Sequence, residues 1–217
     1  MKFLESAPER YDRGVRLLSG GRIEDVYQQI ANWVASPGKR VLDMGCGTGG
    51  VSLACAARGA QVVAIDINAG MLEIARAKPM PRDCEGAIEW IELGVAEIQD
   101  RFPEASFDAI VSCLLFSELS AEERAYALDI AHSRLVQGGR LVIADETLPS
   151  TRSARVWYHV RRLPLAALTY LFTQKGTQPV EHLVERLRDA GFGHVEENRL
   201  WGDTFAILHG VREEAAP

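Results

Sequence analysis

Cysteine is sparse and unpaired in this chain: Cys46, Cys55, Cys84 and Cys113 form no CxxC unit and show no metal-ligand spacing. A disulfide scaffold and a structural zinc site are thereby excluded, and reduced thiols are expected. Long apolar runs are missing too. The best candidates, 107–116 and 163–172, are half the roughly 20 residues that a membrane-crossing helix needs, or carry Asp108. The first residues, Met1-Lys2-Phe3-Leu4-Glu5-Ser6, hold no apolar signal core, so a cytoplasmic location is expected. Positive charge is also short. With Lys+Arg 24 against Asp+Glu 30 the net charge is -6, which argues against nucleic acid as the main partner. There is no internal repeat and no low-complexity stretch. What remains is 217 residues, 47% hydrophobic and 25% charged, the composition of one packed domain spanning 1–217.

The pattern along the chain begins with two helices within 1–36, at 8–18 and 22–35, separated by Ser19-Gly20-Gly21. In the second, Ile23, Val26, Tyr27, Ile30 and Val34 recur at spacings of three and four and form one apolar stripe. From Arg40 the rhythm becomes strand and helix in alternation. Strands are predicted at 40–44, 61–66, 87–93, 107–113 and 140–145, with helices at 49–58, 69–77 and 121–136, the last stopped by Gly138-Gly139. Near-continuous apolar strands separated by helices call for a parallel sheet covered on both faces. The segment 147–179 breaks the rhythm: Pro164 divides it into two short helices, an insertion after strand five. A helix at 179–190 and strands at 194–200 and 204–211 complete the chain. The turn at Gly202-Asp203 is so short that the last two strands must run antiparallel.

The strongest chemical signal is Val41-Leu42-Asp43-Met44-Gly45-Cys46-Gly47-Thr48-Gly49-Gly50, where a strand runs into a glycine turn and a helix follows. Glycines let the backbone turn sharply and let a ligand approach the main chain. Gly45, Gly47 and Gly50 also satisfy the dinucleotide pattern GxGxxG, so spacing alone does not choose the ligand. Asp43 does. A carboxylate just before the loop would repel a pyrophosphate seated at the helix N-terminus, and it suits the ammonium of an amino-acid moiety. Its alternative role is a helix cap or a buried ion-pair partner. Asp66 ends the second strand about 20 residues after the glycines, the spacing of a carboxylate that accepts ribose hydroxyls. It also stands where it could cap the helix that starts near Ala69. A ligand with a ribose, a cationic tail and no phosphate satisfies both acids, and S-adenosylmethionine (SAM) is such a molecule.

On Asp43-x-Gly45-x-Gly47-x-Gly49, Asp66 and the terminal hairpin, the chain resembles the class I SAM-dependent methyltransferases, from about Arg22 to Val211. The resemblance implies a Rossmann-like α/β fold, with a seven-stranded, mostly parallel sheet, a C-terminal antiparallel hairpin and a helical cap after strand five. It implies that Gly45, Gly47, Gly49 and the backbone near Cys46 line the methionine portion of SAM. Asp66 would hold the ribose, and Ile67 and Met71 would sandwich the adenine, although Met71 serves equally as helix core. Cys113, at the end of the fourth strand, joins the cofactor set. Tyr11 would close over the cofactor, or else face the core. Members of the family often read Gly-Asp-Ala-Glu after the third strand. Here Gly94-Val95-Ala96-Glu97 stands instead, so an adenine contact falls to the Ala96 backbone or to Glu97.

No residue pattern names a general base. Glu118, Asp145 and Glu146 follow strands four and five; Tyr158, His159, Arg161 and His182 lie in or after the insertion, with Glu118, Tyr158, His159 and Arg161 as candidates to touch the acceptor. Between Glu146 and Glu181 there is no acid, whereas Arg152, Arg155, Arg161, Arg162 and Lys175 carry positive charge. That asymmetry fits an anionic acceptor or an acidic partner beneath a helical lid at 147–179, the alternative being a solvated hairpin packed on the sheet. The run 180–192 with 204–210 is similar to the ubiquinone/menaquinone-biosynthesis C-methyltransferases. The run 5–14 looks like the corrinoid protein-associated methyltransferases, which would make a corrinoid protein the partner. The acceptor is thus a small molecule or a protein-carried cofactor. Two rival readings of the chain are a nicotinamide dehydrogenase, opposed by Asp43 and the hairpin, and a non-catalytic module that binds SAM or docks a partner.

Overall fold

The computed structural model describes residues 8–80, 87–151, 155 and 179–213. Two helices, α1 (Pro8–Ser19) and α2 (Ile23–Val34), lead into β1 (Arg40–Met44), α3 (Gly50–Ala56), β2 (Gln61–Asp66), α4 (Ala69–Ala77) and β3 (Ala87–Glu92). A single 3-10 turn (Val95–Glu97), α5 (Ile98–Arg101), β4 (Phe107–Cys113), a second 3-10 turn (Phe116–Glu118), α6 (Ala121–Arg134) and β5 (Leu135–Glu146) follow. The chain closes with α7 (Leu183–Asp189), β6 (Phe192–Leu200) and β7 (Phe205–Arg212). Of the expected insertion at 147–179, only 147–151, Arg155 and Pro179 are among the described residues; Tyr158, His159, Arg161 and Arg162 lie outside them.

The seven strands form one sheet in the order β3-β2-β1-β4-β5-β7-β6. The first five strands are parallel, and β7 runs antiparallel to β5 and to β6. Side chains alternate between two cores. Val41, Val62, Ala64, Val111 and Val142 face α2 and α3. Leu42, Met44, Val63, Ile65 and Ile110 face α5, α6 and α7 on the other side. Burial on both faces is why these strands read as continuous apolar runs. In α2, Ile23, Val26, Ile30 and Val34 are buried as the stripe requires, while Tyr27 leaves the core to lie over Gly50. No helix among the described residues is long and apolar enough to cross a membrane.

The largest departures from the sequence reading fall at the starts of β5 and α7. The helix α6 stops at Arg134, and β5 starts at Leu135, ahead of the glycine pair. Leu135 is fully buried and pairs with Phe107, and the register then jumps so that Ala109 meets Arg140. Gly138 (φ +72°) and Gly139, whose added Cβ would come 2.7 Å from the Val136 carbonyl oxygen, absorb that irregularity inside the strand. Similarly, α7 begins at Leu183 because Val180 is taken by the sheet. Its N–H donates to the Glu146 carbonyl at 2.9 Å, and His182 sits at φ +56°, where no helix can continue.

The glycine loop makes a sharp prediction for stability. A Cβ at Gly49 (φ +81°) would lie 2.4 Å from the Trp90 ring, whereas one at Gly38 (φ +82°) would meet nothing within 4 Å. Gly38→Ala should cost about 1–2 kcal/mol for left-handed backbone alone. Gly49→Ala should cost roughly 1–3 kcal/mol more for overpacking. Urea melts check this, and Trp90→Leu should recover only the additional part.

Candidate functional site

Asp43 is the fourth residue of β1, in register with Ala64 of β2 and Val111 of β4, and it is 1% exposed. The Ser52 hydroxyl of α3 donates to its Oδ2 at 2.5 Å. Burial raises its pKa from 3.8 to about 7, with nearby Asp66 adding to the rise and the Ser52 bond opposing it. Asp43 makes no ion pair among the described residues.

After Met44 the chain turns through positive φ at Gly45 (+67°), Gly47 (+53°) and Gly49 (+81°). The Cys46 N–H donates to the Ile65 carbonyl at 2.9 Å and extends the ladder one step, and the Gly49 N–H returns to the Cys46 carbonyl at 2.9 Å. The glycines have different neighbours. A Cβ at Gly45 would meet Leu115 at 2.9 Å, and one at Gly50 would meet the Tyr27 ring at 2.4 Å, so these sites are closed by the protein itself. At Gly47 the nearest atom is the Tyr11 ring at 3.9 Å. Gly47 is the loop position whose main chain stays approachable.

Asp66 ends β2 half-buried. The Gly47 N–H donates to its Oδ2 at 2.8 Å and the Asn68 N–H to its Oδ1 at 2.8 Å. The cap of α4, which sequence also allowed for Asp66, belongs to Asn68, whose side chain accepts from the Gly70 and Met71 N–H groups. The expected pair of adenine contacts divides: Ile67 is 78% exposed, whereas Met71 is 2% exposed and packs inside α4. That burial suits its alternative role as helix core. Glu97 turns back so that its Oε2 accepts from the Gly94 N–H at 2.8 Å, and the Ala96 carbonyl accepts from the Tyr126 hydroxyl at 3.2 Å. Val95 is half-buried against the lower core.

Cys113 closes β4, half-buried, with burial and the carboxylates of Asp145 and Asp43 pushing its thiol upward, so it is a neutral thiol. Burial also pushes Cys46 up. Asp145 is 2% exposed at the end of β5, accepts from the Ser117 N–H at 2.9 Å and the Glu146 N–H at 2.7 Å, and is raised by burial to about 6. A cavity of about 20 Å³, lined by Tyr11, Tyr27, Asp43, Gly45, Cys46 and Cys113 among others, joins these elements under α1. A larger one of about 320 Å³ opens on the far side of Asp145, where Glu146, His182 and Arg155 meet. Glu118 is half-buried just after β4. Arg155, one of the five cations of the insertion, is partly taken up by the scaffold, donating to the Pro149 carbonyl at 2.7 Å and lying 3.5 Å from Glu181. No group of His, Cys, Asp and Glu among the described residues could hold a metal.

Sequence reasoning missed Ser52, Asn68, Asp12 and Leu114. Leu114 sits at φ +65°, a rare conformation for leucine that turns the chain after β4 and presses Leu115 onto Gly45. Nothing in the residue type announces it. Thr48, inside the motif, was the available clue to Asp12, because its hydroxyl donates to that carboxylate.

A parallel sheet with strand order 3-2-1-4-5-7-6, an antiparallel seventh strand and an acid-flanked glycine loop after the first strand define a class of protein. The chain belongs to the class I SAM-dependent methyltransferases, and SAM is its cofactor. The methyltransferase domain family matches residues 41–139. The demethylmenaquinone methyltransferase of Clavibacter sepedonicus is 30% identical over 95% of this chain and 89% of its own length. The ubiquinone/menaquinone biosynthesis C-methyltransferase of Francisella philomiragia is 29% identical over 95% of this chain and 88% of its own. Among solved structures, the magnesium protoporphyrin IX methyltransferase of Synechocystis with bound SAM has a TM-score of 0.62 at 18% identity, covering 88% of this chain and 79% of that one. A SAM-dependent methyltransferase from Archaeoglobus fulgidus has a TM-score of 0.66 at 14% identity, covering 87% and 92%.

The raised Asp43 has a measurable consequence in the cofactor-free protein. Between the ordinary 3.8 and about 7, the folded chain keeps the proton that the unfolded chain has lost, so this group's contribution to stability falls as pH rises through that window. Asp43→Asn lacks the slope. Its melting temperature relative to the parent should climb across this range and level off above it; a pH-independent difference would count against the assignment.

Proposed function

We propose that Asp43, Gly47, Asp66 and Ile67 are the principal cofactor contacts, and that the acceptor is a small quinol-type molecule methylated at carbon. The observation that carries the cofactor reading is the buried Asp43 at the end of β1, with no cation partner among the described residues. A carboxylate in that state favours its proton until a cation arrives, and the ammonium of an amino-acid arm is such a cation. Asp66, held at the end of β2 by the Gly47 and Asn68 N–H groups, stands beside the glycine loop where a carboxylate can accept ribose hydroxyls. Ile67 offers an exposed apolar surface for a base to lie on. Gly45, Cys46, Gly49 and Cys113 shape the walls; Ala96 and Glu97 are the remaining candidates for the adenine edge.

Bound SAM supplies an electrophilic methyl group on a sulfonium. The chain's part is then to align donor and acceptor and to exclude water, and alignment can contribute roughly 7–11 kcal/mol. A hydroxyl next to the acceptor carbon, once deprotonated, makes that carbon nucleophilic. Glu118, half-buried on the same edge as Cys113, is our candidate for contact with the acceptor; Tyr158, His159 and Arg161 remain sequence candidates for the same role. The quinol class rests on the names of the relatives, which match along 95% of the chain.

An acceptor panel tests the reading. Purified protein with SAM should form S-adenosylhomocysteine with a soluble naphthoquinol lacking one ring methyl, and the methyl should appear on carbon. Turnover with a reduced corrinoid alone would replace the quinol by the protein-carried cofactor. SAM binding without turnover across the whole panel would favour the non-catalytic module.

A further inference from the structure

We propose that Asp12 is a positioning residue: it latches α1 across the glycine loop and sets how long the cofactor stays bound. The proposal rests on the cofactor reading above. Helix α1 has little to hold it by apolar burial. Among its described side chains only Val15 and Ser19 are buried, while Leu17 is 79% and Leu18 57% exposed. A twelve-residue helix seated this lightly depends on its polar ties.

Asp12 provides two of them, to opposite sides of the crevice. Its Oδ1 accepts from the hydroxyl of Thr48, a buried residue of the glycine loop after β1. Its Oδ2 lies 2.6 Å from Nζ of Lys78, the residue that ends α4 after β2. One carboxylate therefore joins the loop that would hold the amino-acid arm to the helix beside the ribose acid. Its neighbour Tyr11 stands over Gly47, 3.9 Å from where a Cβ would be. The space beneath, about 20 Å³, is near the minimum for a single water. A nucleoside with an amino-acid arm requires far more, since ligand pockets run to hundreds of Å³. Exchange of SAM and S-adenosylhomocysteine therefore requires α1 to lift or Tyr11 to swing, and Asp12 is the tie that resists the first motion. The Lys78 arm is half-solvated, with side-chain exposures of 26% and 51%, so salt weakens it; the Thr48 arm is sheltered.

The test is the dissociation rate of S-adenosylhomocysteine, followed by stopped-flow tryptophan fluorescence at a temperature where circular dichroism shows every variant folded. Asp12→Ala should release the product about tenfold faster. Lys78→Met should release it several-fold faster and lose the salt dependence of the parent, and Lys78→Arg should restore the parent rate. The KM for SAM should rise while kcat holds or increases. A merely structural Asp12 would lower the melting temperature and leave these rates alone. Equal dissociation rates in the parent, Asp12→Ala and Lys78→Met, with binding intact, would overturn the latch alone. Failure of the parent to bind SAM or S-adenosylhomocysteine at all would remove the cofactor reading and the latch with it.

Discussion

The hydrogen bond from Ser52 to Asp43 spans the glycine loop, tying the end of β1 to the first turn of α3. Both partners are buried, so an unmade bond would leave a desolvated carboxylate and hydroxyl, at a cost of roughly 1–3 kcal/mol or more. The residues between must therefore turn within a fixed span, and left-handed backbone at Gly45, Gly47 and Gly49 makes that path possible. The bond also fixes the buried acid at the foot of the loop, the position from which our proposed cofactor reading follows.

Around that bond the C-terminal edge of the sheet carries Asp43 on β1, Asp66 on β2 and Asp145 on β5, with Glu92 of β3 in register with Asp66. Their environments separate their roles. Asp66 is half-buried and satisfied by two backbone donors, Asp145 is buried and occupied by Ser117 and Glu146, and Asp43 has one hydroxyl and no cation among the described residues. Cys113, flanked by two of these carboxyls, is kept as a neutral thiol and contributes shape more than charge. On the proposed cofactor contacts, an edge so built would disfavour phosphate and favour an ammonium, although its glycine pattern is shared with dinucleotide proteins.

Much of this was legible in the residues because β1, β2 and β4 are short apolar runs bounded by strong turn signals, and their limits follow from them. Asp43 stood out because a carboxylate beside a glycine loop is chemically incongruous with phosphate, and Asp66 because its spacing from the glycines suits a ribose acid; the structure brings both to the loop. The start of β5 was not, because Gly138-Gly139 reads locally as a helix stop, whereas a non-local pairing of Leu135 with Phe107 recruits it into the strand. The start of α7 was hidden likewise by the bridge between Thr147 and Val180. Which side chain caps α4, and on which side Met71 lies, depended on side-chain directions that spacing does not encode. The ties of Asp12 to Thr48 and Lys78 join residues far apart in the chain and leave no periodic trace.

The claim that a buried, protonatable Asp43 awaits a cationic ligand is tested most directly by counting protons during cofactor binding. Titration calorimetry of SAM into the parent protein, repeated in buffers of different ionisation enthalpy, gives that count. With Asp43 at about 7 in the free protein and driven to its ionised form by the ammonium, binding should release about half a proton near pH 7. The release should approach one proton by about pH 6, and above about pH 8 it should give way to proton uptake as the ligand's own amine must be protonated to bind. Tight binding with no proton exchanged anywhere in that range would contradict the account.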